Sequence, residues 1–379
     1  MAHSAHGVRH LYVHLPFCSS RCGYCDFVTI VGRDADHARY VRALLRELEL
    51  EGGVLATPLE TVYLGGGTPT FTERGALRAL LATLPPSSEL TVEANPETVT
   101  PELAAMLGAA GVDRVSLGAQ SFSARLLGVL GRVASPDDVR RAFYTLRDAG
   151  FDNISVDLIY GIPGQEPADL ARDLAAALAL EPEHLSAYEL EAKPGTRFTH
   201  AHGPALERQA EAMEGYFETV VTTLTDAGYR WYETANFCLA ADRAGGRDLR
   251  AQHNLGYWLG HDYLGVGVGA VGTVAGRRVR NAPSLRSYVE ALERGEAPPR
   301  EVEELSPGVR TVERAMLGLR LDEPLPLAGV RAAIDGEELE RLERAGLVSA
   351  GGDTIALTSR GRFLGGGVTA RLLAPTMSA

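Results

Sequence analysis

Three cysteines, Cys18, Cys22 and Cys25, crowd into one segment, His14-Leu-Pro-Phe-Cys18-Ser-Ser-Arg-Cys22-Gly-Tyr-Cys25-Asp-Phe27. Thiolates at C-x₃-C-x₂-C spacing can wrap one face of a cubane [4Fe–4S] cluster. The fourth iron then has no protein ligand, and an open metal position is where a substrate or cofactor binds. The amino and carboxylate groups of S-adenosylmethionine can chelate such an iron. Electron transfer from the cluster then breaks the sulfonium bond and generates an adenosyl radical. Structural zinc is the competing chemistry. It wants four closed ligands; no fourth cysteine lies nearby, so His14 would have to serve. The remaining cysteine, Cys238, is isolated and reads as a small buried apolar side chain.

The chain has 379 residues, 45% of them hydrophobic, with a formal net charge of −12. That length holds one large domain or two. The acidic balance makes nucleic acid a poor partner and favours small molecules or proteins. No stretch is long enough to span a bilayer. The segment Met1 to His10 is polar and His-rich, without the apolar region of a secretory signal, so a cytoplasmic protein is expected. In that compartment, crowded thiols are ligands or catalysts more often than disulfides.

The elements that must position the thiols are short strands alternating with helices. Strand signals are Leu11–Leu15, Thr61–Leu64, Leu90–Glu93, Arg114–Leu117, Ile154–Ile159 and Leu185–Leu190, each rich in Val, Ile, Leu or Tyr. Helical periodicity marks Ala35–Leu50, Glu73–Leu84, Pro101–Ala110, Pro136–Ala149, Pro167–Leu180 and Leu206–Ala227. Pro101, Pro136 and Pro167 sit where first-turn prolines belong, after the capping candidates Thr100, Ser135 and Glu166. Six such repeats predict a parallel α/β sheet, an open partial (β/α)6 TIM-like barrel with ligands at the carboxyl ends of its strands. A further strand is expected over residues 228–233 and a loop over Leu239–Gln252. Near the end, a helix over Glu337–Ala345 and a hairpin, residues 346–348 and 354–357, predict a smaller α+β winged-helix-like module. Its acidic segment Asp335-Gly-Glu-Glu-Leu-Glu argues for a structural or partner-docking role. The division expected is 1–237 for the core and 238–379 for the C-terminal domain.

Several residues at the strand ends suit a ligand. Leu64-Gly65-Gly66-Gly67-Thr68 lets backbone approach a bound molecule, although a tight turn needs the same residues. Glu93 and Gln120 end the third and fourth strands, where a polar side chain serves a ligand better than a core. Asp157 lies inside an apolar strand, and a buried carboxylate needs partners such as ribose hydroxyls. Arg132 can pair with a carboxylate.

With these residues the chain resembles the radical SAM superfamily. Within it, the resemblance is to the group of oxygen-independent coproporphyrinogen III oxidases and HemW-type heme chaperones. Tyr12-Val-His-Leu-Pro-Phe-Cys is similar to the family's opening motif. The resemblance implies that Gly66, Gly67 and Thr68 contact the methionyl part of S-adenosylmethionine. It places further contacts on Tyr12, Glu93, Gln120, Arg132 and Asp157, and Tyr24 joins the cofactor-binding set. No catalytic residue is assigned.

Two features bear on the branch. The oxidases resemble C-x₃-C-x₂-C-x-C, and Phe27 stands here in place of the last cysteine. His253-Asn254-Leu-Gly-Tyr257-Trp258 resembles the H-N-x-x-Y-W motif of the chaperones. His253 is then a heme-iron ligand candidate; a histidine satisfying core hydrogen bonds beside two aromatics is the alternative. Val271 and Ala134 stand where histidines are usual, which leaves the heme axial ligands unassigned. The resemblance implies a chaperone that binds the cluster, S-adenosylmethionine and heme, and hands heme to acceptor proteins, with homodimers and peripheral membrane contact within its range. The alternative is oxidative decarboxylation of coproporphyrinogen III to protoporphyrinogen IX.

Overall fold

The short apolar runs form the middle of one sheet. In the computed structural model, which describes residues 7–193 and 197–373, they are β1 (His10–Leu15), β2 (Leu59–Gly66), β3 (Ser87–Ala94), β4 (Arg114–Gln120), β5 (Ile154–Tyr160) and β6 (His184–Glu189). Residues 1–6 of the polar, His-rich segment Met1 to His10 lie outside the described residues. The six strands are parallel and neighbour one another in chain order. Helices such as His37–Glu51, Pro101–Ala109 and Pro167–Leu178 make the crossovers that parallel pairing requires. The expected partial (β/α)6 barrel is therefore present.

The first-turn prolines sit in their caps. The Thr100 hydroxyl accepts the Leu103 N–H at 3.3 Å. Ser135 and Asp138 form a reciprocal capping box. Glu166 contributes its backbone N–H, which donates to Asp169 at 3.0 Å.

Strand side chains alternate between faces, and here the two faces differ in chemistry. Leu11, Val13, Val62, Leu64, Leu90, Val92, Val115, Leu117, Val156 and Leu158 join the main apolar core. The residues between them are polar: His10, Tyr12 and His14; Thr61 and Tyr63; Glu89, Thr91 and Glu93; Arg114 and Ser116; Ser155 and Asp157; His184, Ser186 and Tyr188. Register places these side by side, with Tyr12 opposite Tyr63, Glu93 opposite Ser116, and Asp157 opposite Ser186.

The helix expected over Leu206–Ala227 is two helices, Arg197–Ala210 and Met213–Asp226. Both anchor to the loop after β5. The Gln209 amide donates to the carbonyls of Ile162 and Gln165, and the Tyr216 hydroxyl donates to the Gln165 carbonyl. The expected strand near 230 is half of a hairpin, β7 (Tyr229–Trp231) and β8 (Asn236–Leu239), with β8 antiparallel to β6.

At the opposite edge, β9 (Tyr263–Val266) pairs in parallel with β1, followed by the antiparallel β10 (Val271–Val274), β11 (Arg277–Asn281) and β12 (Arg300–Glu304). A boundary between residues 237 and 238 falls within β8, and the same twelve-stranded sheet continues to Glu304. Glycines hid β9, because glycine carries no strand signal. They are needed: a Cβ on Gly265 would stand 1.9 Å from the Val271 carbonyl oxygen.

A second apolar core, including Leu319, Val330, Leu342, Ile355 and Leu372, belongs to the C-terminal module. Its strands β13 (Leu325–Pro326), β14 (Val348–Gly351) and β15 (Thr354–Leu357) pack with helices Pro307–Gly318, Gly336–Arg344 and Gly365–Leu372. Cys238 is buried, as expected, and burial pushes its thiol up to about 11. Among the described residues, no helix is long and apolar enough to cross a membrane.

Candidate active site

The cysteine loop is pinned where it leaves and rejoins β1. Cys18 donates its backbone N–H to Ile30 at 3.0 Å, and Ile30 donates to Pro16 at 2.8 Å. Phe17, fully buried against His37 and Tyr40, anchors the exit. The glycine run after β2 presses on this loop. Gly67 and Thr68 donate to the carbonyls of Leu15 and Phe17 at 2.8 and 2.9 Å. A Cβ on Gly67 would lie 2.5 Å from the Pro16 oxygen, and one on Gly66 would lie 2.4 Å from the His14 ring. Gly66 also has φ of 110°, which other residues rarely adopt. No side chain fits at either position.

Around the thiols the polar groups converge. The Thr68 hydroxyl lies 3.3 Å from the Cys18 sulfur and accepts from the Asn95 amide at 2.9 Å. Arg132 donates to Asn95 at 2.9 Å and to the Gly118 carbonyl at 2.8 Å, and its other nitrogen is 3.7 Å from the Cys22 sulfur. Gln120 ends β4 with φ of 64° at a register shift, a strained conformation for a non-glycine residue and one that clusters at functional sites. Glu93 accepts from the Tyr63 hydroxyl at 2.7 Å and the Gly66 N–H at 3.1 Å. Asp157 accepts from Ser116 at 2.8 Å and Ser155 at 3.0 Å. Burial pushes both carboxyls upward, Glu93 to about 7 with the nearby Asp157 adding to the effect.

A cleft of about 550 Å³ collects these groups. It is lined by Cys18, Cys22, Cys25, Tyr24, Gly66, Gly67, Thr68, Glu93, Gln120, Arg132 and Asp157. Tyr12 and His253 are not on its wall. The Tyr12 hydroxyl is 3.0 Å from His14 Nδ1, and its ring stacks on Tyr63. His253, on the helix Gln252–Trp258, is 1% exposed. Its Nδ1 is 2.7 Å from the Thr61 hydroxyl and its Nε2 is 2.7 Å from the Tyr257 hydroxyl. Burial, with His10 alongside, pushes its pKa down to about 3, so the ring is neutral and both nitrogens are engaged. Neither is open to an iron in this arrangement; of that motif, Asn254 reaches the cleft.

His14 offers the thiols no fourth ligand. Its Nε2 lies 2.9 Å from the Val28 carbonyl and its Nδ1 faces Tyr12. The zinc alternative therefore lacks a free donor in His14, whereas three thiols beside glycine-lined backbone fit a cluster with one open iron and a small polar cofactor.

Sequence reading missed Tyr63, Asn95, Ser116 and Arg114, which also line the cleft. Arg114 is 2% exposed, and its Nε has no hydrogen-bond partner. The period-two run of polar residues through apolar strands was the available signal. At the mouth stand Phe27, Val133 and Tyr188, exposed by 60%, 62% and 41%.

Residues 12–177 match the radical SAM superfamily, and residues 305–364 match the HemN C-terminal domain. The fold is that of coproporphyrinogen III oxidase (HemN) from Escherichia coli, a radical SAM enzyme, at a TM-score of 0.80 and 23% identity, covering 98% of this chain and 91% of that one. Barrel and cysteine cleft thus define a radical SAM protein, a class that implies a [4Fe–4S] cluster and S-adenosylmethionine. Curated relatives carry the name heme chaperone HemW. That of Mycobacterium tuberculosis is 38% identical over 377 residues, spanning 96% of this chain and 94% of the relative. That of Bacillus subtilis is 33% identical over 380 residues, spanning 93% and 96%. The chain belongs to the heme chaperone HemW family.

Proposed function

We propose that this chain is a heme chaperone that carries a [4Fe–4S] cluster on Cys18, Cys22 and Cys25, holds S-adenosylmethionine in the adjoining cleft, binds heme and passes it to acceptor proteins. The observation that carries the proposal is the shared wall: the three thiols, the carboxyls of Glu93 and Asp157 and the guanidiniums of Arg114 and Arg132 face a single cavity. When bound, the cluster supplies an electron to the sulfonium centre of the cofactor.

The residues divide the binding between them. Gly66 and Gly67 offer backbone at close approach. Glu93, held by Tyr63, presents a carboxyl to an amino group. Arg132, already oriented by Asn95 and Gly118, presents its guanidinium to a carboxylate. Asp157, held by two serines, accepts from sugar hydroxyls. For heme, we assign the apolar mouth formed by Phe27, Val133 and Tyr188, with Arg21 on the same wall to meet a propionate. Axial ligation by His253 requires the hydrogen bond on the coordinating ring nitrogen, to Thr61 or to Tyr257, to break.

The oxidase reading is less favoured. Phe27 occupies the position where the oxidases resemble one another in a further cysteine, and the solved oxidase shares the fold at 23% identity. Heme titration of anaerobically purified protein tests the choice. One heme per chain, weakened by Phe27→Asp and Val133→Asp, is expected. Absence of a Soret complex, or protoporphyrinogen formed from coproporphyrinogen III with S-adenosylmethionine and a reductant, would overturn the chaperone reading.

A further inference from the structure

Opposite the cleft, at the amino ends of β1 and β2, lies a second cavity of about 680 Å³ whose wall includes His10, Glu60, Thr61 and His261. We propose that His10 Nε2, Glu60 Oε2 and His261 Nδ1 form a site for one divalent first-row transition metal of the zinc class.

The spacing is that of ligands around one ion. His10 Nε2 lies 3.1 Å from His261 Nδ1 and 3.4 Å from Glu60 Oε2, and the three donor atoms all fall within 4.8 Å of one another. Two donors at ~2.1 Å from a tetrahedral zinc stand about 3.4 Å apart, so small side-chain shifts suffice. Two imidazoles with one carboxylate leave an open position on the cavity side, a donor set that suits zinc or iron(II).

Each donor is held from behind. His10 Nδ1 is 2.9 Å from the Thr61 hydroxyl, which is 2.7 Å from His253 Nδ1; His253 Nε2 is 2.7 Å from the Tyr257 hydroxyl. A metal on His10 Nε2 leaves the proton on Nδ1, which donates to Thr61; Thr61 then donates to His253, and His253 to Tyr257. This outer-shell chain fixes tautomer and ring plane, as supporting partners of metal-bound histidines do. Glu60 is steadied through its other oxygen, which accepts from Arg9 at 2.5 Å. His261 is placed by its backbone N–H, which donates to the Gly256 carbonyl at 2.8 Å. Gly256 itself leaves room for the His10 ring, since a Cβ there would stand 3.1 Å from the imidazole.

The site uses none of the cleft residues, so it stands whether or not the cysteines carry a cluster. The test is Co(II) titration, with Zn(II) competition, of the anaerobic full chain with its cluster reconstituted. The Glu60→Gln and His261→Ala variants serve as comparison; both side chains are solvent-accessible, Glu60 by 44% and His261 at the surface. The expected result is one Zn(II)-displaceable Co(II) per chain, with d–d bands and no added thiolate charge-transfer band. Its affinity should fall at least about tenfold in each variant, with iron content unchanged. No such Co(II) signal in the unmodified chain, or a loss smaller than tenfold in either variant, would overturn the assignment.

Discussion

The carboxyl-end cleft and the layer beneath it around His253 are built by the same strands and the same alternation of polar residues, yet they end in opposite states. Beneath, the polar atoms are spent on one another: Thr61 bridges two histidines, and Tyr257 closes the chain. In the cleft they are left over. Arg114 keeps an unpaired Nε, three thiols stand unbridged on one wall, and burial holds two carboxyls above their usual range. Buried polar groups are normally satisfied. A site prepared for a ligand is where that rule is relaxed, while a satisfied network is scaffolding. On this contrast rests our proposal that the cleft is the binding machinery and that His253 holds the floor beneath it.

The largest expected effect breaks the contrast from the cleft side. Cys22→Ser should abolish cluster assembly, measured as iron and acid-labile sulfide per chain, while far-UV circular dichroism stays unchanged. Next, Asp157→Ala should weaken S-adenosylmethionine binding about tenfold or more, read by calorimetry on reconstituted protein, because Ser116 and Ser155 cannot replace a carboxylate.

Glu93 supplies a pH test. Its carboxyl, 4.5 when unfolded, rises to about 7 in the native cleft. The native state therefore keeps a proton that the unfolded chain has lost. The contribution is intact below pH 4.5 and is lost as pH rises to about 7, at a cost of about 3 kcal/mol. In cofactor-free protein, Glu93→Gln should flatten that limb of the stability–pH curve and gain stability at pH 8. An unchanged curve would remove Glu93 from the strained side of the comparison.

His253→Ala probes the satisfied layer. Taking one of the two partners from the Thr61 hydroxyl and the partner from the Tyr257 hydroxyl, with the packing of the ring, should cost about 2–3 kcal/mol in denaturant unfolding. Iron content and heme stoichiometry should hold; loss of heme binding with the fold intact would return His253 to the heme. Smallest of all, Cys238→Ala should cost about 1 kcal/mol and leave iron content untouched.

The two regions were also unequally legible. Cleft residues announced themselves because each breaks a local rule: a cysteine triplet, a glycine run, a carboxylate within an apolar strand. Arg114, Ser116 and Tyr63 broke no such rule one at a time. Their signal was collective, a polar residue at every second position on adjacent strands, and it requires the register to be known. The motif at His253 was visible and a core-bonded histidine was one of its two readings, but the partner was not, since Thr61 comes from a strand far away in the chain. The six central strands followed from their apolar runs. Strand β9 did not, because Gly265 and its neighbours were chosen for close backbone approach rather than for strand propensity.

The most direct test of the central claim is electron paramagnetic resonance of anaerobically reconstituted, reduced protein, recorded with and without S-adenosylmethionine beside an iron and zinc count. The account expects about four iron atoms per chain and a cluster signal that the cofactor shifts. A colourless protein holding one zinc on the cysteines, or a cluster whose signal the cofactor leaves unchanged, would contradict it.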